Sequence, residues 1–299
     1  MERVVLGIAC ALVLSACRSV EASGAPPRGL LVASLDRERT DERAFLRLAE
    51  RFEGANPGYG LAYGPVSELE RSDEPRLIVV QAGDGPVGVQ RSATRVVREV
   101  EVGDLIFLRA KQAIFTEEAV YALVLTLPLA LPDTLPTFVS PADVESKDSG
   151  WEDVRIDLVS WLPRPGAHVY QGISAKRVRV SDAPTHVHPE AGGFDELVVV
   201  LEAAPGTSVL SSSRTAAIRS QAVEHADVAN LLEVTPLAAG DLVLVLRGTA
   251  HRPVGASTVL ALAVPGFLPG AEVRLDDDLR AINETLGLEG DAALPVFEP

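Results

Sequence analysis

The chain is almost without cysteine. Its two thiols, Cys10 and Cys17, both fall within the first seventeen residues. Nothing downstream can therefore supply a disulfide framework, a thiolate metal site or a thiol nucleophile. Aromatic residues are scarce at 5%, which leaves little on which bases could stack. Positive charge is short as well: 27 Lys and Arg stand against 42 Asp and Glu, a net charge of -15. A surface that acidic repels phosphate backbones, so nucleic acid is excluded as a partner. No G-x-S-x-G elbow, P-loop or H-E-x-x-H helix is present. Histidine is missing from the whole first half; all five, His168, His186, His188, His225 and His251, lie in the second.

What stands at the N-terminus is distinctive. Arg3 precedes an apolar run, Val4–Val13, that is short of the roughly 20 residues a membrane-spanning helix needs. The run fits a signal-peptide core. It ends in Leu14-Ser15-Ala16-Cys17, which resembles a bacterial lipobox. The resemblance implies cleavage before Cys17 and lipidation of that cysteine. Residues 1–16 are then a signal peptide and residues 17–30, small and rich in Pro and Gly, a tether. The expected address is the cell envelope, lipid-anchored at the outer membrane or periplasmic face, with the membrane met only through the anchor. Arg18, in place of an aspartate, leans to the outer membrane.

Apolar residues make up 47% of the chain, enough for a substantial core. Phe45, Leu48, Ala49 and Phe52 repeat at helical spacing and predict a helix over 40–54, with Thr40 as cap. Leu279, Ile282 and Leu286 predict another over 276–286, stopped by Gly287. Between them run short β-branched segments parted by turn residues, the signal of an all-β barrel or sandwich. Two segments recur in order. The run from Arg76 resembles that from Glu196, and Val102-Gly103-Asp104-Leu105 resembles Ala239-Gly240-Asp241-Leu242. A repeat of this kind predicts two similar units: a first over 31–130, a Pro-rich and acidic linker over 131–150, and a second over 151–299.

The chemistry concentrates in Thr185-His186-Val187-His188-Pro189. Residues two apart on a strand share a face, so His186 and His188 offer two imidazoles to one metal ion. His251 follows Gly248, which permits a turn, and Glu196 opens the next strand as a carboxylate. Three imidazoles and a carboxylate suit a divalent transition metal.

This pattern resembles the cupin superfamily. Gly240, Gly248 and His251 match its second motif in register, while Leu246 and Gly255 stand where the family has proline and asparagine. His186-x-His188 matches the first motif. The acid in register is absent, and Glu196 comes three or four residues late, after a loop lengthened by Ala191-Gly192-Gly193-Phe194. The resemblance implies two jelly-roll-like β-barrels with a few short flanking helices, the second holding the ion on His186, His188, Glu196 and His251. The first, with Arg76 and Ile114 at the positions of Glu196 and His251, cannot hold one. It further implies a small-molecule ligand and a metal-dependent enzyme of dioxygenase, decarboxylase or isomerase type; the alternative is a non-catalytic ligand- or sugar-binding cupin in the envelope. Iron, manganese, zinc, nickel and copper all remain open as the ion. Arg247, beside the motif, and Tyr170, on the face of His168, are the candidates for contact with substrate. A homo-oligomer is a further expectation. His168 and His225 read as solvated, and the serines of Ser211–Ser213 as a turn or loop.

Overall fold

A computed structural model of the chain describes residues 29–36, 39, 41–91, 93–144, 154–268 and 270–298. The signal peptide, Cys17, nearly all of the tether and the end of the linker lie outside the described residues. Among the described residues no helix is long and apolar enough to cross a membrane.

The strands run in chain order. The first nine are β1 (Leu30–Ser34), β2 (Gly60–Pro65), β3 (Arg76–Ala82), β4 (Gly85–Arg91), β5 (Thr94–Val100), β6 (Leu105–Leu108), β7 (Ala113–Thr116), β8 (Tyr121–Thr126) and β9 (Phe138–Val139). Then come β10 (Val154–Ser160), β11 (His168–Val169), β12 (Ser174–Asp182), β13 (His186–Val187), β14 (Asp195–Ala203), β15 (Ser208–Ser212), β16 (Glu233–Pro236), β17 (Asp241–Val245), β18 (Ala250–Val264) and β19 (Val273–Arg274). Among the described residues three α-helices accompany them: α1 (Glu42–Ala55), α2 (Thr215–Arg219) and α3 (Asp276–Leu286). The architecture is all-β with short flanking helices, as the turn-punctuated runs predict.

The repeat is visible in the pairing. A five-stranded sheet orders its strands β2-β8-β3-β6-β9, beside a three-stranded sheet β5-β4-β7, and the central strands of the largest sheet run β12-β18-β14-β17-β1. Arg76 pairs with Leu108 and Thr126, just as Glu196 pairs with Val245 and Ala263. The two Gly-Asp turns are alike: the carboxylates of Asp104 and Asp241 accept from the backbone N–H three residues earlier, at 3.0 and 2.8 Å. Gly103 and Gly240 sit at φ 94° and 84°, which disfavours a side chain at either place.

Two segments sit elsewhere than local pattern suggests. Strand β1, assigned by position to the first unit, pairs with β17 of the second. Strand β9, inside the stretch read as linker, pairs with β6 of the first. Ser211 and Ser212, read as turn or loop, belong to β15 and face His251 and Ala250 across the ladder. Helix α1 is capped by Asp41, which accepts from Ala44 N–H at 3.0 Å; Thr40, the expected cap, lies outside the described residues. Helix α3 has the expected bounds and ends on Gly287 at φ 63°.

One apolar core joins the two halves. Phe45, Leu48 and Phe52 of α1 pack with Leu77, Leu105 and Leu125 on one side and Leu197, Leu244 and Leu262 on the other. The alternate residues of the same strands, such as Ile78, Ile106 and Leu108, point into the first barrel. Central strands are thus buried on both faces, which is why they read as unbroken runs such as Leu197-Val198-Val199-Val200 rather than as an alternation.

Candidate metal centre and barrel cavity

The centre forms where β13 enters the ladder. His186 lies opposite His251 of β18 on one side and Arg274 of β19 on the other. The ring centroids of His186 and His251 are 4.1 Å apart. His188 completes the group, with its ring 5.5 Å from that of His186 and 4.9 Å from that of His251. The three offer ligand nitrogens that all lie within 4.8 Å of one another, and all three residues are buried.

Backbone carbonyls aim the rings. Nδ1 of His186 is 2.9 Å from the carbonyl of Pro184, and Nδ1 of His251 is 3.2 Å from that of Thr249. A donor at Nδ1 leaves Nε2 as the lone-pair nitrogen, the arrangement by which proteins orient a ligating imidazole. His188 is held differently, stacked on Phe194 with ring centroids 3.9 Å apart and planes at 30°. Phe194 closes the lengthened loop before Glu196, so the insertion that displaces the carboxylate also supports a histidine. Gly248 N–H donates to the carbonyl of His188 at 2.7 Å. The Thr215 hydroxyl donates to the Gly248 carbonyl at 2.7 Å and accepts from Ala250 N–H at 3.0 Å. These bonds tie the two histidine-bearing segments together.

Burial sets the electrostatics. Desolvation, aided by the nearby His251, pushes the His186 imidazole down to about 3 against the weaker pull of the Pro184 carbonyl and Glu196. Desolvation, then His251, holds His188 well below the ordinary range. Burial alone would raise Glu196, but His251, His188 and Lys176 together hold its carboxyl below the usual carboxylate range. Neutral imidazoles beside a carboxylate are the donor set of a divalent transition metal. Both nitrogens of His188 and Nε2 of His251 are buried without a hydrogen-bond partner. Each such group costs about 1–3 kcal/mol when left unsatisfied, and ligation would relieve that cost. The group fits a metal ion.

Glu196 Oε2 lies 3.7 Å from His251 Nε2, beside the three nitrogens rather than among them. A second carboxylate escaped the sequence reading: Glu272 Oε1 is 3.9 Å from His188 Nε2. It stands one residue before β19, and the pairing of β19 with His186 and Val187 carries it to the centre. No local pattern marks it. Behind the centre opens a cavity of about 250 Å³ inside the barrel. Residues at alternate positions line it: Lys176, Val178 and Val180 of β12, Glu196 and Val198 of β14, Val243 and Val245 of β17, and Val259 of β18. His186, His251 and Glu272 also border it.

Neither candidate for substrate contact lines this cavity. The Arg247 guanidinium donates to both carboxylate oxygens of the fully buried Asp195, at 3.0 Å each, and to Asn56 Oδ1 at 2.8 Å. Asn56 Nδ2 in turn donates to Asp195 at 2.8 Å. Arg247 therefore clamps the end of α1 to the second barrel. Tyr170 is core: it is 4% exposed, and its hydroxyl donates to the Leu129 carbonyl at 2.8 Å. His225 is exposed, as expected, on a short 3-10 turn, and His168 is half-buried on β11.

No protein-family model and no curated protein matches the sequence. Solved structures do match by shape. A single-substitution variant of the Bacillus subtilis oxalate decarboxylase superposes with a TM-score of 0.50 at 13% identity, over 78% of this chain and 77% of that one. The fold is the cupin fold. The Lactobacillus farciminis oxalate decarboxylase in its formate complex gives 0.47 at 14% identity, over 78% of this chain and 82% of that one. Within the cupin frame, His186, His188 and His251 form the buried group described above, and the first barrel has Arg76 in the register place of Glu196.

Proposed function

We propose that this chain is a metal-dependent cupin enzyme acting on a small molecule held in the second barrel. The observation that carries the reading is the set of buried nitrogens of His188 and His251 that lack a hydrogen-bond partner, grouped with His186 within 4.8 Å. These three imidazoles would hold a divalent transition metal, with Glu196 as the adjoining carboxylate. Such an ion supplies Lewis acidity and open positions for a substrate. The protein's own part is to bind and orient the substrate in the barrel, to exclude water by its apolar walls, and to place carboxylates where a proton can be taken or returned. Two carboxylates, Glu196 and Glu272, lie within 4 Å of the histidines. An acid–base group beside the centre favours catalysis over passive binding. Decarboxylase, isomerase and dioxygenase chemistry all fit such a centre.

The signal-like N-terminus and Cys17 support the further reading that the chain is lipid-anchored in the cell envelope, where it would load its ion after export. The test is metal content by mass spectrometry on the purified chain and on a His186→Ala/His251→Ala variant. About one transition-metal ion per chain, lost in the variant, is expected. A folded chain that takes up no added Mn²⁺, Fe²⁺ or Zn²⁺ sinks the reading and leaves a binding or scaffold barrel. Lipidation is checked by the mass of the mature N-terminus, which should begin at an acylated Cys17.

A further inference from the structure

Strand β19 is short, but its register decides what meets the histidines. Strand β13 lies between β18 and β19, with Val187 opposite Ala250 on one side and Val273 on the other. The next pair in the antiparallel register with β19 sets His188 against Glu272. Successive side chains on a strand alternate between faces. Val187, Ala250 and Val273 take one face and pack with Leu275, Leu279 and Ile282. His186, His251 and Glu272 take the other and border the cavity, with His188 grouped beside them. Leu275 N–H donates to the Thr185 carbonyl at 2.8 Å, which fastens the segment at its far end. Helix α3 thus holds Glu272 at the centre from behind.

Distances say what it can do there. Glu272 Oε1 is 3.9 Å from His188 Nε2, and Glu196 Oε2 is 3.7 Å from His251 Nε2. Both separations are too long for a hydrogen bond, and both nitrogens are buried without a hydrogen-bond partner. Two ligands of one ion, each about 2.1 Å from it, stand about 3 to 4 Å apart. The two glutamate–histidine pairs are therefore spaced as neighbours on a shared ion. Like Glu196, Glu272 stands beside the three nitrogens rather than among them, so a turn of its flexible side chain completes the set.

We infer that Glu272 is a ligand of the ion, joining His186, His188, His251 and Glu196 to give three nitrogens and two oxygens. This rests on the metal reading of the three histidines and deepens it by adding a ligand that the sequence motif does not contain. A carboxylate has two oxygens and about four lone-pair sites. One oxygen on the ion leaves the other for a proton and for the interaction Glu272 has elsewhere. The second carboxylate also bears on which ion is held. Imidazole suits zinc and copper, whereas carboxylate suits manganese. Zinc is content with four ligands, which the histidines and Glu196 already supply. Glu272 therefore matters more to manganese than to zinc.

The test is calorimetric titration of the full chain with Mn²⁺ and with Zn²⁺, on the parent, Glu272→Ala and Glu272→Gln. The glutamine keeps the shape of the side chain, and circular dichroism checks that each variant folds. In Glu272→Ala, Mn²⁺ affinity is expected to fall at least about 100-fold, and Zn²⁺ affinity at least about tenfold less than that. Glu272→Gln should show the same order of loss between the two ions. Added acetate should return part of the Mn²⁺ affinity to Glu272→Ala, because its carboxylate can take the vacated place. Equal Mn²⁺ affinity in the parent and both variants overturns the inference. A loss that is the same for both ions and that acetate does not recover overturns it too, and makes Glu272 a support for His188 instead. The parent separates this claim from the one beneath it. A parent that binds neither ion fails the metal reading itself, whereas a parent that binds Mn²⁺, matched by its variants, loses Glu272 alone.

Discussion

Ile78, Ile106 and Leu108 fill the first barrel where the second has Val198, Val243 and Val245 in the same register. Ile114 stands in the aligned repeat where the second has His251. The first barrel's residues form a closed aliphatic cluster; the second's leave a cavity of about 250 Å³ with imidazoles at its edge. One frame thus serves two ends. Removing a methylene at several inward positions opens the space, and polar groups at the rim give it chemistry. The difference lies in side-chain volume and charge, since the strand order and turn geometry are shared.

Three experiments probe that contrast, from the largest effect to the smallest. The joint between the halves comes first. Arg247→Ala leaves Asp195 buried and uncompensated, and chemical denaturation should show a loss of about 3–5 kcal/mol. A loss below about 1 kcal/mol would mean that Arg247 is not the clamp its bonds imply. Next, His251→Ile gives the second barrel the first barrel's residue. Metal affinity should fall more than about 100-fold, since a ligand matters more than its outer-shell partners. The metal-free protein should gain about 1–3 kcal/mol, because a buried unsatisfied nitrogen is removed. A metal-free variant no more stable than its parent would count against the stored cost of these nitrogens.

The third concerns pH, and it sets a barrel with histidines against one without. His186 is pushed down to about 3 by burial, while an unfolded imidazole titrates near 6.5. Between those values the unfolded chain holds more protons than the folded one. Stability is therefore full above pH 6.5 and falls as pH drops toward 3, by up to about 1.4 kcal/mol per pH unit for each such histidine. Glu196, held below the ordinary carboxylate range, adds loss in the same direction at lower pH. Urea midpoints of the metal-free protein from pH 8 to 4 should trace this slope. A midpoint flat across that range would show the histidines to be solvated.

Sequence legibility followed the range of the interaction. The His186-x-His188 pair and the Gly240, Gly248 and His251 spacing are local, and they pointed to the centre before any fold was in view. The Gly-Asp turns likewise announced the repeat. Glu272 was illegible because only the pairing of β19 with β13 brings it to His188. Arg247 was misread for a related reason: its charge is plain in the sequence, but the buried Asp195 and Asn56 that claim it are not. Tyr170 was placed on a promising face that proves to pack into the core. The lengthened loop looked like a defect in the motif and turned out to carry the aromatic ring that supports His188.

Strand β1 has a consequence for how the molecule assembles. Ser34 pairs with Asp241, about 200 residues away along the chain. Closing so long a loop is slow compared with forming a hairpin. Until it closes, the edge of β17 lies open to other partners. The first nine strands include one that must wait for the seventeenth, so an early strand is among the last to complete the half that carries the three histidines.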